Sequence, residues 1–212
     1  YKACRAIRQD LIYCTISGFG QEGAYSRNPA SDTIIQAMSG LMSLVGEADG
    51  PPLRVGFPMI DMAAANYAVQ SVLLSLYGRQ NGHGGANIDV SLMSAALGIM
   101  AAGYTRFTAS GEVPLRQGNQ NKNLAPAGAY KGSDGRYYTI AIVRDEHWQK
   151  LCAALGLSDF AADATLATNK QRVEQRAAID AVLVPILASQ PAAYWLEPVS
   201  YTHLTLPTTE YV

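Results

Sequence analysis

Hydrophobic and polar positions fall in blocks along this chain, and the blocks predict its elements. Leu11-Ile12-Tyr13-Cys14-Thr15-Ile16-Ser17 is a short, nearly continuous apolar run rich in strand formers, which reads as a buried parallel strand. After a loop over 18–29, Ser31 stands as an N-cap, and Ile34, Ile35, Met38, Leu41, Met42 and Val45 recur at helical spacing. A turn-rich break over 46–52 leads to Arg54–Ile60, an apolar, proline-bearing segment read as a second strand. A helix from about Met62 to Tyr77 follows, with Tyr67, Val69, Val72, Leu73 and Leu76 as its apolar face. A glycine turn over 81–85 precedes a third strand, Asn87–Ser91, and a further helix runs from about Leu92 to Phe107. The order β-α-β-α-β predicts parallel strands with crossover helices, an α/β layered unit.

The pattern changes after Gly111. The stretch Gly118-Asn119-Gln120-Asn121-Lys122-Asn123 is polar, and Tyr130-Lys131, a Ser133-Asp134-Gly135 turn and Tyr137–Ile142 predict a hairpin. Helices are expected around Glu146–Leu155 and Asn169–Leu187. These boundaries divide the chain into residues 1–92, a linker helix and loop at 93–116, a smaller α+β unit at 117–198, and a tail at 199–212.

Composition narrows the class. Of 212 residues 49% are hydrophobic and 16% charged, which marks a globular chain with a real core. The net charge of −1 supplies no field for nucleic acid or an anionic membrane. Cys4, Cys14 and Cys152 have no metal-ligand spacing and read as reduced thiols of a cytoplasmic protein. No signal peptide is apparent, and the apolar stretch from Ser91 to Gly103 is too short to span a bilayer.

The candidate chemistry centres on Asp61, where the apolar segment ends and a long small-residue helix begins. A carboxylate there is either a helix cap or a nucleophile kept ionised by the helix terminus, and the two roles are compatible. Catalytic groups of parallel sheets gather at strand carboxyl ends, so Ser17 to Gly20 and Asp61 are expected as neighbours. Gly18-Phe19-Gly20-Gln21-Glu22-Gly23 has the G-x-G-x-x-G spacing but does not open a helix directly, so it reads as a loop that a ligand can approach. His83 and His147 read as surface or packing residues. The 118–123 loop is either solvated or a lid.

Several stretches, in order, resemble the family III CoA-transferases (the CaiB/BaiF or formyl-CoA transferase family). They are Leu11–Gln21, Gln36-Ala37-Met38-Ser39-Gly40-Leu41-Met42-Ser43, Gly50-Pro51-Pro52, Asn87–Leu92, Arg116-Gln117-Gly118-Asn119 and Ala125-Pro126. The resemblance implies a partial Rossmann-like parallel-sheet large domain at 1–92 with a smaller α+β domain. It places the nucleophilic aspartate on Asp61 and the coenzyme A contacts on Ser17, Gly18, Phe19 and Gly20. It sets a closing lid on Gln120, Asn121, Lys122, Asn123 and Leu124. It implies that coenzyme A arrives as an acyl-CoA substrate, that no metal takes part and that the assembled enzyme is an interlocked homodimer. Asp61 would attack the acyl-CoA thioester to give an anhydride, the thiolate would return to form an aspartyl-CoA thioester, and an acceptor carboxylate would then take the CoA. The related α-methylacyl-CoA racemases would need a histidine where this chain has Ser31.

The resemblance also implies a fragment, since the family is roughly twice this length and the chain opens on Tyr1. A fragment of this kind would be inert alone. The likeness stops after Glu197. Residues 199–208, Val-Ser-Tyr-Thr-His-Leu-Thr-Leu-Pro-Thr, back-translate to a sequence resembling a transposon-based sequencing adapter, so we treat the 199–212 tail as a hypothetical assembly artefact. Recovery of the tail from the source gene by an independent library method would sink that hypothesis.

Overall fold

The computed structural model describes residues 1–196, and the 199–212 tail lies outside them. Residues 1–118 and 119 onward form two separate compact units. The first contains α1 (Lys2–Ile7), β1 (Ile12–Ser17), α2 (Asp32–Met38), α3 (Met59–Gln80), β2 (Ala86–Ser91), α4 (Leu92–Ile99) and α5 (Ala101–Ser110). The second contains β3 (Ala127–Lys131), β4 (Tyr137–Ala141), α6 (Asp145–Ala154), α7 (Ser158–Ala162), α8 (Asn169–Glu174), α9 (Arg176–Leu187) and α10 (Ala192–Leu196).

In the first unit β1 and β2 pair in parallel, from Ile12 opposite Ala86 to Ser17 opposite Ser91. The strand expected at Arg54–Ile60 does not form. Its backbone groups are taken up elsewhere: Val55 N–H donates to Gln36 Oε1 at 2.9 Å, and Met59 N–H turns back onto Phe57 O at 2.8 Å. Pro58 cannot donate to a ladder, and α3 begins directly after it. The unit is thus α/β with a two-stranded parallel sheet rather than three strands in β-α-β-α-β order.

Two helices also depart from expectation. The first stops at Met38, because Gly40 at φ +84° breaks the helical path, and a 3₁₀ turn at Leu41–Leu44 carries the remaining apolar positions. The long helix α3 buries Ile60, Ala64 and Ala68, while Val69, Leu73, Leu74 and Tyr77 are exposed. The small side chains allow close packing: an added Cβ on Gly98 of α4 would lie 2.6 Å from the Tyr67 hydroxyl of α3. By length and composition alone α3 could cross a membrane, but its alanine face packs with Val90 and Ala95.

The second unit is the expected hairpin with helices. Antiparallel β3 and β4 pair Ala127 with Ala141 and Lys131 with Tyr137. Tyr138, Ile140, Trp148, Leu151, Ile179, Leu183 and Leu187 make its core. Thr168 opens α8 with a capping box, its Oγ1 accepting from Gln171 N–H while Gln171 Oε1 accepts from Thr168 N–H. Burial pushes the Cys152 thiol up to about 11, whereas Cys4 and Cys14 are exposed.

Candidate functional site

The first unit brings three helix N-termini to the carboxyl end of its strands. Ser91, the last residue of β2, caps α4 by accepting from Ser94 N–H at 3.0 Å. The N–H of Met93, in the first turn of α4, donates to Gly18 O just after β1. Gly18 in turn lies against Ala30, since an added Cβ would stand 2.1 Å from the Ala30 Cβ. Ser31 caps α2, its Oγ accepting from Ile34 N–H at 3.5 Å. Phe19, Ala30, Met59 and Ile60 share one apolar cluster, which joins the strand-end loop to the start of α3. The N–H groups of Ile34, Ile60, Asp61, Met93 and Ser94 in these first turns already donate within the unit, so an anion here would be favoured by the helix dipoles rather than by those donors.

Asp61 is the third residue of α3 and is exposed within the unit. It does not cap the helix, and it does not end a strand. Pro58 holds the N-cap position without a side-chain bond. The carboxylate of Asp32, on α2, performs the capping, its Oδ2 accepting from Ile60 N–H at 2.7 Å and from Asp61 N–H at 3.2 Å. The Asp61 carboxyl is raised from its ordinary value, first by partial desolvation and then by the nearby Asp32 charge.

The strand-end loop is tightly specified. Ser17 Oγ accepts from Gly20 N–H at 3.0 Å, and Gln21 N–H donates to Asp89 Oδ2 at 2.8 Å. Phe19 stacks near Tyr25 with ring centroids 5.4 Å apart. Arg116 donates to the carbonyls of Ser43, Glu47 and Gly50, so two motifs far apart in sequence close on each other.

Gln120, Asn121, Lys122, Asn123 and Leu124 belong to the second unit. There Arg176 donates to the carbonyls of Asn121 and Leu124, and Asn169 donates to Asn123 O at 2.8 Å and accepts from Ala125 N–H at 3.1 Å. Gln120 Nε2 donates to Asp180 Oδ2 at 3.0 Å. Of the histidines, His83 lies in the turn that ends α3, its N–H donating to Gly78 O, and His147 is half-buried beside Glu146. Among the described residues no three His, Cys, Asp or Glu side chains gather as metal ligands would.

The family model described as CoA-transferase family III matches residues 1–205. The chain belongs to CoA-transferase family III. The match ends inside the tail that begins at 199. An acetyl-CoA:oxalate CoA-transferase of Acetobacter aceti is 35% identical over 198 residues, covering 93% of this chain and 51% of that protein. A succinate–glutarate CoA-transferase of Agrobacterium fabrum is 33% identical over 183 residues, covering 86% and 46%. The crystal structure of a CaiB/BaiF family protein from Brucella suis superposes with a TM-score of 0.83 at 34% identity, covering 99% of this chain and 55% of that one. The chain spans about half the length of the curated family III relatives it matches.

Asp32 has no part in the sequence reading of the site, and Gln36 and Arg116 enter it only as the first residues of resembling motifs. Gln36 opens one of the resembling motifs, which was the available signal. In sequence Asp32 looks like an ordinary first-turn acid: its Gln36 partner is one helical turn on, but the Ile60 and Asp61 N–H groups that it caps lie 28 and 29 residues away.

Proposed function

We propose that the whole protein moves coenzyme A from an acyl-CoA donor to a carboxylic acid acceptor through covalent intermediates on Asp61. The observation that supports this is an exposed carboxyl of raised proton affinity in the first turn of α3, where the start of α3 shares an apolar cluster with the strand-end loop. Partial removal of water from a carboxylate strengthens it as a nucleophile. The dipoles of the helices that begin at the strand ends would favour the oxyanion that forms at a thioester carbonyl.

In this reading an Asp61 oxygen attacks the acyl carbon, a C–O bond forms, the C–S bond breaks, and CoA leaves as thiolate. The thiolate attacks the Asp61 carbonyl of the anhydride, giving the aspartyl-CoA thioester and releasing the donor acid as carboxylate. The acceptor carboxylate attacks that thioester, expelling thiolate and forming a second anhydride. Thiolate attack on the acceptor carbonyl yields the new acyl-CoA and returns Asp61 as carboxylate. Atoms and charge balance without a redox partner. Keeping water from the anhydrides is the role that the family resemblance implies for Gln120 to Leu124.

Two further parts of the reading concern assembly. We take the two parallel strands as part of a larger Rossmann-like sheet, because Cys14 and Ile16 leave one face of β1 exposed and parallel sheets are covered on both faces. We also propose a cytoplasmic location and a homodimer for the whole protein, the latter fitting the exposed Leu73, Leu74 and Tyr77 of α3. Ser31 caps α2, so no observation favours the racemase chemistry.

The test uses the full-length enzyme with a panel of acyl-CoAs, beginning with thioesters of dicarboxylic acids such as those in the relatives' names. Hydroxylamine traps the intermediate, and peptide mass spectrometry locates it. A hydroxamate on Asp61 that disappears in Asp61→Asn is the expected result. Steady CoA transfer without any adduct, or transfer retained by Asp61→Asn, would overturn the reading.

A further inference from the structure

Asp32 and Gln36 are buried polar residues in an otherwise apolar part of the first unit, at 8% and 0% exposure. Such groups cost free energy unless bonded, so the places where their bonds go are informative. The bonds run between the two residues, to the first turn of α3 and to the segment before it. Asp32 Oδ2 holds the N–H groups of Ile60 and Asp61. Asp32 Oδ1 accepts from Gln36 Nε2 at 2.5 Å. Gln36 Oε1 accepts from Val55 N–H at 2.9 Å, and its Nε2 also lies 3.5 Å from Phe57 O. The pair therefore grips both the first turn of α3 and the segment that leads into it.

A helix that needs only stability takes a Ser, Thr, Asp or Asn at its own N-cap. Here Pro58 occupies that position, and the cap comes from a different helix. A local cap fixes nothing beyond its own turn. A cap carried on α2 ties the start of α3 to α2, whose preceding residue Ala30 contacts Gly18 of the strand-end loop. The direction of the Asp61 side chain is then set relative to that loop.

We infer that Asp32 and Gln36 together are the positioning residues for Asp61, fixing where its carboxylate is presented to the acyl carbon. This rests on the reading of Asp61 as the nucleophile. Neither side chain touches substrate in this role. Displacing a reacting group by about an ångström can lower a rate by roughly a hundredfold without changing what is bound.

The experiment measures single-turnover formation of the hydroxylamine-trapped Asp61 adduct, acyl-CoA affinity and Tm in the full-length enzyme. The variants are Asp32→Asn, which keeps the shape and one acceptor, and Gln36→Leu, which keeps the bulk and loses the bonds. The expected result is a fall in adduct rate of roughly tenfold to a hundredfold in each, with acyl-CoA affinity within about twofold of wild type. The double variant should lose less than the product of the two, because the residues act as one unit. An Asp32→Asn adduct rate within about twofold of wild type would overturn the inference. So would parallel losses of rate, affinity and Tm, which mark a purely structural pair. The wild-type adduct is the control that separates the two ideas: its absence refutes Asp61 as nucleophile, whereas its presence with unaffected variants refutes only the positioning role.

Discussion

The hydroxyl of Ser17 accepts a hydrogen bond from the N–H of Gly20, 3.0 Å away. The side chain that the family resemblance assigns to coenzyme A is thus engaged in its own turn, and the loop's shape depends on it. Ser17→Ala is expected to destabilise the full-length protein by about 0.5–1.5 kcal/mol, the usual worth of one such bond. The hydroxyl keeps its own proton to donate, so KM for acyl-CoA reads the ligand contact separately: a change of less than about threefold means that Ser17 only shapes the loop, and a larger rise means that it also holds the ligand. Thermal unfolding and steady-state kinetics on the same preparation check both halves.

Gly18 is held to glycine by contact rather than by dihedral angle. A Cβ there would sit 2.1 Å from the Ala30 Cβ, far inside van der Waals distance, and neither atom can swing away. Gly18→Ala should therefore cost about 1–3 kcal/mol and lower activity by moving the loop from the start of α2. The double variant Gly18→Ala with Ala30→Gly removes the clash and should recover most of the loss. A double-mutant cycle in Tm reads the coupling directly.

The raised carboxyl of Asp61 makes a signed prediction about pH. A group whose native proton affinity exceeds its unfolded value favours folding when protonated, and loses that contribution as pH rises through the native value. At neutral pH the ionised Asp61 thus costs stability, first through desolvation and then through the Asp32 charge. Asp61→Asn should raise Tm at pH 7, with a gain in unfolding free energy of less than about 1 kcal/mol once solvent screening of an exposed group is allowed for. The advantage should shrink as pH falls toward the ordinary carboxylate range. Equal Tm values for the two proteins at every pH would contradict the sign.

Sequence pattern located what depends on neighbouring residues. β1, β2, the Ser31 cap, the hairpin of the second unit and the position of Asp61 near the start of a helix follow from local periodicity and turn chemistry. What it missed depends on distant partners. Arg54–Ile60 has strand composition, but its backbone bonds go to a glutamine side chain from another helix, which no period reveals. The face of α3 was read from its large residues, whereas close packing selects Ala64 and Ala68 and turns Leu73 and Leu74 outward. At Asp61 the sequence leaves a helix cap and a nucleophile both open, with the helix terminus expected to keep the carboxylate ionised. The cap belongs to Asp32, and that same residue's charge helps raise the Asp61 carboxyl.

Arg172 anchors the second unit from inside. It is fully buried, and its guanidinium donates to the carbonyls of Ala125, Leu166 and Ala167 and to Asp145 at 2.7 Å. Arg172→Leu strands three carbonyls and should destabilise by about 3–5 kcal/mol, as breaking a buried charge network does. Asp145→Asn should cost under about 1 kcal/mol, because the Asp145 side chain is 54% exposed and its charge is screened. Chemical denaturation of both variants separates the two, and comparable losses would mean that the ion pair rather than the carbonyl set holds the unit.

The segment Gln120 to Leu124 offers the last test. Polar composition alone suggests mobility, but α8 and α9 tie its backbone through Asn169 and Arg176, and Gln120 reaches Asp180 on α9. A segment held by side chains from two helices opens only when those bonds break together, so closure would be a small shift of a latched loop rather than the ordering of a loose one. Hydrogen exchange in the full-length protein should show protection at Leu124 and Ala125 without any ligand, since their N–H groups donate to Asn121 O and Asn169 Oδ1. Arg176→Leu should raise exchange across 121–125 by about tenfold while leaving the β3–β4 hairpin unchanged, as the loss of roughly 1.4 kcal/mol of local holding energy implies. If exchange there is fast in wild type and insensitive to Arg176, the latch does not hold the segment in solution.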